Sequence, residues 1–421
     1  MLRLCAARRE ITASRDTRVD VALALAAVLL LFALQRLTGS IEVNEGRGWD
    51  GTDYAAMLRE SLGDGTANTA LRPLVVLLNR PAYWLLDSAV SAFRVMNFLY
   101  AALLSLAACR LFARYNPNAG ARALLVVNLF LCIAPAKYTA FYPVLVDMGA
   151  LAVVTIAIAA IVSGHRLTAA IALVGAVTAR EFGLAAVVFL LVRDLRQRTP
   201  LRVALATAAP AVAALVVLRV LVTRAFAGDH APLTLGRLVT NLQMWHDPLF
   251  ASLFVYFALT VFGGVSLFAA GAAPAVLRLW RREWEWVPYV ALIGAASAAG
   301  DADIWRYLVY LLPAAVAAAG AASRELSAWK ARSLLAAALA LAATLTTQRP
   351  WERIDLVAYF RDWFPYYLHT RAAPIDHPPS LWPLWEWRFL IVAGLLCAMT
   401  IVAAPLLPTL RWTGPSPDPR T

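Results

Sequence analysis

The sequence predicts an all-α protein, a polytopic transmembrane helical bundle with about twelve crossings and interfacial helices in its outer loops. Three observations carry this prediction. Of 421 residues, 61% are hydrophobic and 15% charged, with mean hydropathy +0.66, which is too apolar for a soluble chain of this length. The apolar residues are gathered into many runs that approach or exceed the roughly 20 residues needed to cross a bilayer core. The arginines fall in short clusters between those runs, where they orient the chain. A helix satisfies its own backbone hydrogen bonds in lipid, so helices are the natural spanning element. The net charge of +12 and pI near 10.0 then reflect orientation in the membrane; no basic soluble face for nucleic acid is present.

Arg3, Arg8, Arg9, Arg15 and Arg18 place the N-terminus in the cytoplasm by the positive-inside rule. The run Val19 to Leu37 is too long for a signal-peptide core and lacks a clear small-residue cleavage site, so it reads as an uncleaved first helix. Residues 39–91 follow as the first outer segment. Within it, Leu71 to Leu86 is apolar but interrupted by Pro73, Arg80 and Pro81 and ends near Tyr83 and Trp84, a pattern expected of an interfacial segment. The next spans are expected at 92–112, 121–138 and 147–163, with Arg110, Arg114 and Arg122 at a cytoplasmic turn.

One helix through 167–192 would strand Arg193, Arg196, Arg198 and Arg202 outside. Two short helices, 167–178 and 182–193, avoid this by forming a hairpin with Arg180 and Glu181 at its outer apex. Further spans fit 201–223, 249–271, 287–299, 307–322, 333–347 and 389–407. Arg278, Arg281, Arg282, Arg324, Lys330 and Arg332 lie in the inner turns. The outer segments are 39–91, 224–247 and 348–388. In the last of these, Glu352, Asp355 and Asp362 share one helical face while Val357, Phe360 and Phe364 lie largely away from it, as in a helix lying on the membrane surface. Residues 1–407 read as one transmembrane domain and 408–421 as a short cytoplasmic tail. Cys5, Cys109, Cys132 and Cys397 show neither disulfide nor zinc spacing. Lys137 and Lys330 are the only lysines, which with the alanine-rich spans suits a high-GC bacterial genome and hence a cytoplasmic (inner) membrane.

This topology gathers Asp50, Asp53, Tyr54, Lys137, Asp147, Arg180, Glu181, Asp301, Asp303 and Arg306 at the outer side. Ionisable groups near membrane depth pair with one another or face a polar cavity, so the set implies a wet outer cavity. The chain has neither a Walker loop nor a dinucleotide glycine motif, and its inner turns are short. An activated substrate reaching the outer cavity would therefore arrive through the bilayer, linked to a lipid. A carboxylate there could deprotonate an acceptor hydroxyl while Arg or Lys stabilises a departing lipid phosphate.

Asp50-Gly51 and Tyr54 early in the first outer loop, Arg72-Pro73-Leu74, Asp147 before a span, Arg180-Glu181 between two short apolar runs, and Arg306-Tyr307-Leu308 followed by Pro313 together resemble the GT-C superfamily. Its members are polytopic glycosyltransferases that use polyprenyl-phosphate sugars. The resemblance covers most of the chain in layout and a few residues in motif. It implies a polyprenyl-phosphate sugar donor, a lipid, glycan or protein acceptor, and inverting transfer at the extracytoplasmic side. It implies Asp50 as the catalytic base, with Asp53 beside it, and Tyr54, Arg72, Lys137, Asp147, Arg180, Glu181, Arg306 and Tyr307 as substrate-binding residues.

Other readings remain open on the same residues. Asp50 and Asp53 could be turn acids, since Asp-Gly is a common turn signal, and Tyr54 an interfacial anchor. Arg180–Glu181 and Lys137–Asp147 could be structural ion pairs. No cofactor is expected, although the Asp50–Asp53 spacing could suit a divalent cation; the histidines show no ligand spacing. A transporter or flippase of a lipid-linked or amphiphilic substrate would also use a broken hairpin, and an intramembrane prenyltransferase would use paired aspartates, on the cytoplasmic side.

Overall fold

The computed structural model describes residues 2–38, 43–47, 50–131, 135, 138–139, 142–226, 262, 272–299 and 304–325. These residues are overwhelmingly helical and include no strand. Lys137, Asp301, Asp303 and Lys330, the spans expected at 249–271 (apart from Phe262), 333–347 and 389–407, the outer segment 348–388, most of 224–247 and the tail 408–421 lie outside the described residues.

The first helix, α1, runs Leu2–Thr38. Its span Thr17–Arg36 is apolar all round because its two faces meet different partners. Ala24, Ala27, Leu31 and Leu34 recur every three to four residues and are buried, whereas Val21, Leu25, Leu29 and Phe32 remain exposed, as expected of a bundle helix with one face in lipid. After α1 the chain forms α2 (Asp50–Arg59) and α3 (Pro73–Leu86). Pro73 starts α3 where its missing N–H is harmless, and Leu77, Leu78, Trp84, Leu85 and Leu86 stay exposed along it. Such a short helix with an apolar exposed side fits the interfacial placement expected from its sequence.

Helix α4 (Ala89–Ala113) starts at Ser88, whose side chain accepts from the Ser91 amide. Helix α5 (Ala119–Phe130) is similarly capped by Asn118. The continuous helix of α5 stops at Phe130, short of the expected 138. Leu131 caps it, its amide bonding to the Val127 carbonyl at 3.0 Å. Helix α6 (Asp147–Ser163) ends at Gly164 in the left-handed region, φ 79°, a conformation that costs glycine little.

The expected hairpin is present as α7 (Arg166–Ala179) and α8 (Gly183–Arg196), joined by Arg180-Glu181-Phe182. Its base is closed by Arg166, which donates to both Asp194 oxygens at 2.5 Å. At the apex a Cβ on Gly183 would come within 2.3 Å of the Ala176 backbone, so only glycine permits the two legs to approach this closely. Helix α7 packs against α6 and against α9 (Leu201–Ala225); its buried face is mainly Ala169, Ala172, Ala176 and Ala179, small residues that let helix backbones draw together. The remaining described helices are α10 (Ala273–Arg282), α11 (Trp286–Ala299), α12 (Ile304–Leu308) and α13 (Leu312–Glu325), the last two linked by a tighter 3₁₀ turn at Val309–Leu311.

Among the described residues, four stretches are long and apolar enough to cross a membrane: Thr17–Arg36, Ala89–Ala113, Leu201–Ala225 and Arg306–Glu325. Shorter apolar helices at Ala119–Phe130, Asp147–Ser163, Arg166–Ala179 and Trp286–Ala299 pack among them. The protein is a multi-pass membrane bundle.

Polar groups concentrate at its two ends. At the end bearing the arginine-rich turns, Arg122 pairs with Asp20 at 3.0 Å, and Arg193 and Arg196 both hold Glu285, at 2.9 and 2.7 Å. Tyr115 donates to Glu283, and Asn116 donates to Ser323. These contacts tie the ends of α1, α5, α8 and α13 to the turns beside them, leaving the opposite end to the candidate site.

Candidate active site

The site begins with a close approach. Helix α2 lies so near the 142–146 segment that a Cβ on Gly51 would sit 2.8 Å from the Val144 carbonyl oxygen. Gly51 therefore lets α2 bring its first residue, Asp50, up to the segment that leads into Asp147. Ion pairing with Arg306 then joins this pair of elements to α12.

Asp147 is fully buried at the start of α6. It accepts from Arg306 Nε at 3.2 Å and Nη2 at 2.9 Å, from Arg180 Nη1, and from the Tyr310 hydroxyl at 3.4 Å. Arg306 also donates through Nη1 to Asp50 at 2.7 Å, so one planar guanidinium bridges two carboxylates, an arrangement its rigid fork permits and a lysine could not reproduce. Across the site Arg72 donates to both Glu181 oxygens at 3.2 and 2.8 Å and to the Tyr54 hydroxyl at 3.3 Å.

The result is three guanidiniums and three carboxylates drawn from α2, the start of α3, α6, the α7–α8 turn and α12. Burial is uneven within this set. Asp147, Arg180, Arg306 and Arg72 are shielded, whereas the side chains of Asp50 and Glu181 keep 42% and 35% of their surface. The carboxylates that a substrate could reach are thus Asp50 and Glu181. Arg180 is flanked by aromatic rings, its guanidinium carbon lying 5.7 to 5.9 Å from the centroids of Phe182, Tyr307 and Tyr310. Phe182 stacks between the two tyrosines at 5.0 and 5.2 Å. The Arg180 Nε is buried without a hydrogen-bond partner, leaving cationic donor capacity beside the cluster.

Protonation follows this geometry. Packing around Asp50 pushes its carboxyl up, but Arg306, then Arg72 and Arg180, more than offset that and hold it below the ordinary aspartate value. Burial pushes Glu181 up as well, yet Arg72 and Arg180 bring it down to about 2. Asp53, one turn along α2, moves the other way: desolvation raises it, with Asp50 adding to the rise, against a hydrogen bond from Thr66 at 3.1 Å. Burial raises Tyr54 and keeps it a neutral phenol. At neutral pH the cluster therefore presents an ionised Asp50 beside a protonated Tyr54.

No protein-family model and no curated protein matches the sequence. Solved structures do match the fold. ArnT from Cupriavidus metallidurans, in a crystal structure bound to undecaprenyl phosphate, aligns over 91% of this chain and 75% of its own, at 17% sequence identity and a TM-score of 0.53. The chain has the GT-C fold. A weaker likeness is to the archaeal oligosaccharyltransferase AglB from Archaeoglobus fulgidus, in complex with an inhibitory peptide and a dolichol-phosphate, at 13% identity and a TM-score of 0.46 over 90% of this chain and 56% of that one.

Within this GT-C bundle, Asp50, Tyr54, Arg72, Asp147, Arg180, Glu181 and Arg306 form one connected network, and Tyr307 lines it through Phe182. Asp53 stands at its edge, bound to Thr66 instead of an arginine, and Lys137 lies outside the described residues. One sequence pairing changes. Arg180 pairs with Asp147, not with its neighbour Glu181, because the tight turn sends adjacent side chains to opposite partners. Asp147 in turn is held by Arg180 and Arg306. The sequence reading did not single out Tyr310, Phe182 or Thr66. Tyr310 could have been found from its position four residues after Arg306, which places both on one helical face. Among the described residues no group of three or more His, Cys, Asp or Glu is placed to hold a metal ion.

Proposed function

We propose that the chain is an inverting membrane glycosyltransferase that moves a sugar from a polyprenyl-phosphate donor to a lipid, glycan or protein acceptor at the extracytoplasmic end of the bundle. The observation that carries this reading is the convergence of Arg72, Arg180 and Arg306 with the accessible carboxylate of Asp50 in a GT-C fold. Three guanidiniums suit a phosphate, and an ionised carboxylate beside them suits a base.

In the reaction the acceptor atom forms a bond to the anomeric carbon and its proton passes to Asp50, while the bond from that carbon to the phosphate oxygen breaks. The donor is a phosphodiester with one negative charge, and the leaving polyprenyl phosphate gains a second. Arginines facing that oxygen therefore bind the transition state more tightly than the ground state, which is what acceleration requires. Arg306 has two uses here. It holds Asp50 ionised before the donor binds, and its departure toward the phosphate makes Asp50 a stronger base when one is needed. Tyr54 and Glu181 hold Arg72, and Asp147 holds Arg180 and Arg306, in place.

The fold, the multi-pass membrane character and the likeness to a protein that binds undecaprenyl phosphate support this reading. The deciding experiment is turnover of radiolabelled polyprenyl-phosphate sugars by the purified protein with a mixed acceptor extract, comparing wild type with Asp50→Asn. A product formed only by the wild type supports the reading. Equal product from both removes Asp50 as base, and movement of donor across proteoliposomes without any covalent product replaces the transferase with a transporter.

A further inference from the structure

A second cationic site lies away from the cluster, between α1 and α4. Phe32 and Phe98 meet with ring centroids 6.3 Å apart, which sets the antiparallel register of the two helices. One turn beyond each ring, toward the outer end, come Arg36 and Arg94. The Arg36 guanidinium carbon lies 5.0 Å over the Phe32 ring, and the register that joins Phe32 to Phe98 brings Arg36 and Arg94 to the same level of the bundle. The Arg94 Nε is buried without a hydrogen-bond partner.

Arg72, Arg122, Arg166, Arg180, Arg193 and Arg306 each hold a carboxylate, whereas Arg36 and Arg94 have no acidic partner among the described residues. Two guanidiniums at one level, Arg36 exposed and Arg94 half-buried, raise the free energy of the empty state, and an anion between them lowers it. Below them the surface is apolar on both helices, with Phe32, Leu29 and Leu25 exposed on α1 and Val95, Leu99 and Leu103 on α4. From Arg36 to Leu25 the track is about 16 Å long, close to one leaflet of a core about 30 Å thick.

We propose that this surface binds one anionic phospholipid of the outer leaflet, its phosphate between Arg36 and Arg94 and its two chains along the two apolar tracks. The depth of one leaflet and the presence of two parallel tracks favour a two-chained lipid over a single long polyprenyl chain. Cationic pockets between transmembrane helices hold anionic headgroups by this combination of charge and apolar contact. The site is independent of the proposed transferase reaction.

The full chain, reconstituted with equal amounts of phosphatidylglycerol and phosphatidylcholine, is extracted gently and its retained lipid quantified by mass spectrometry. Wild type is expected to retain phosphatidylglycerol in preference. Each guanidinium contributes roughly fivefold, so Arg36→Gln with Arg94→Gln should lose roughly thirtyfold in affinity, while Arg36→Lys with Arg94→Lys keeps the preference. If the double glutamine variant does not fold, Arg36→Gln alone, at an exposed position, still tests the fivefold loss. Equal retention of the two lipids by wild type, or an unchanged preference in the glutamine variants, overturns the proposal. So does displacement of phosphatidylglycerol by undecaprenyl phosphate from wild type, which would assign the site to a polyprenyl chain.

Discussion

Replacing Asp147 by Asn tests whether the cluster is an electrostatic unit. Asparagine keeps the shape of Asp147 and one acceptor oxygen but removes the charge that separates Arg180 from Arg306. Both arginines are 1–2% exposed at the side chain and the carboxylate between them is wholly buried, so water cannot replace it. Two unit charges about 4 Å apart interact by about 4 kcal/mol at an effective dielectric constant near 20, and removing one partner of a buried pair costs about 3–5 kcal/mol. The remaining acceptor oxygen places the expected loss at the lower end, about 3 kcal/mol, read from reversible unfolding in mixed micelles. A change within about 0.5 kcal/mol, the range of substitutions that touch nothing, would mean that Asp147 does not bridge the two arginines. The same variant also tests the site. An anion placed between Arg180 and Arg306 substitutes for the lost carboxylate, so undecaprenyl phosphate should stabilise Asp147→Asn more than it stabilises wild type. Equal stabilisation would show that lipid phosphate binds elsewhere.

Asp50→Asn is expected to lower turnover by about 10²- to 10⁴-fold, the range of a general base, with folding preserved because Asn still accepts from Arg306; the check is single-turnover transfer alongside a thermal melt. Gly51→Ala places a Cβ 2.8 Å from the Val144 carbonyl and must push α2 outward, so turnover should fall by up to about 10²-fold; unchanged turnover would show that the approach of α2 is not what positions Asp50. The Glu181 pKa falls from 4.5 unfolded to about 2 folded, so its pairing with Arg72 stabilises the fold fully above pH 4.5 and is lost as pH drops toward 2. Stability measured across that window should fall less steeply in Glu181→Gln than in wild type. Arg306→Lys keeps a positive charge but cannot span Asp50 and Asp147 together; donor turnover should drop while the variant still folds, and full activity would argue that the fork is dispensable.

Much of the layout was legible because charge and apolarity act over whole segments. The hairpin at 166–196 follows from the need to keep Arg166 and Arg193 on one side, and the structure closes its base through Arg166 and Asp194. Asp50, Asp147, Arg180, Glu181 and Arg306 stood out because ionisable residues near apolar runs are costly unless paired, and Arg72 through its place in the GT-C-like motif Arg72-Pro73-Leu74. Their partners were not legible. Whether Arg180 meets Glu181 or Asp147 depends on the turn at Phe182 and on how deeply α6 begins, both set by packing across 33 residues of sequence. The role of Gly51 is equally hidden, since its neighbour Val144 is distant in sequence and the constraint is backbone against backbone.

The matching of three guanidiniums to three carboxylates also bears on how the proposed transfer would proceed. Empty, the cluster is neutral, which lets it stay packed at the membrane surface without importing counterions. A donor phosphodiester brings one negative charge. During transfer the phosphate gains a second, and Asp50 loses its own as it takes the acceptor proton, so the total charge of the site does not change. What changes is where the charge sits, moving from Asp50 to the leaving oxygen. Arg306 is the arginine that touches Asp50, and it is anchored from the other side by Asp147. It can therefore follow the charge by releasing one hydrogen bond while keeping two, a small reorganisation inside a preorganised site. A neutral residue at 306 would remove the main cation that keeps Asp50 ionised and would force the new phosphate charge to be met by Arg72 and Arg180 alone, both already committed to Glu181 and Asp147. Loss at Arg306 should accordingly appear in the chemical step more than in donor affinity, the reverse of what a residue serving only to bind phosphate would show.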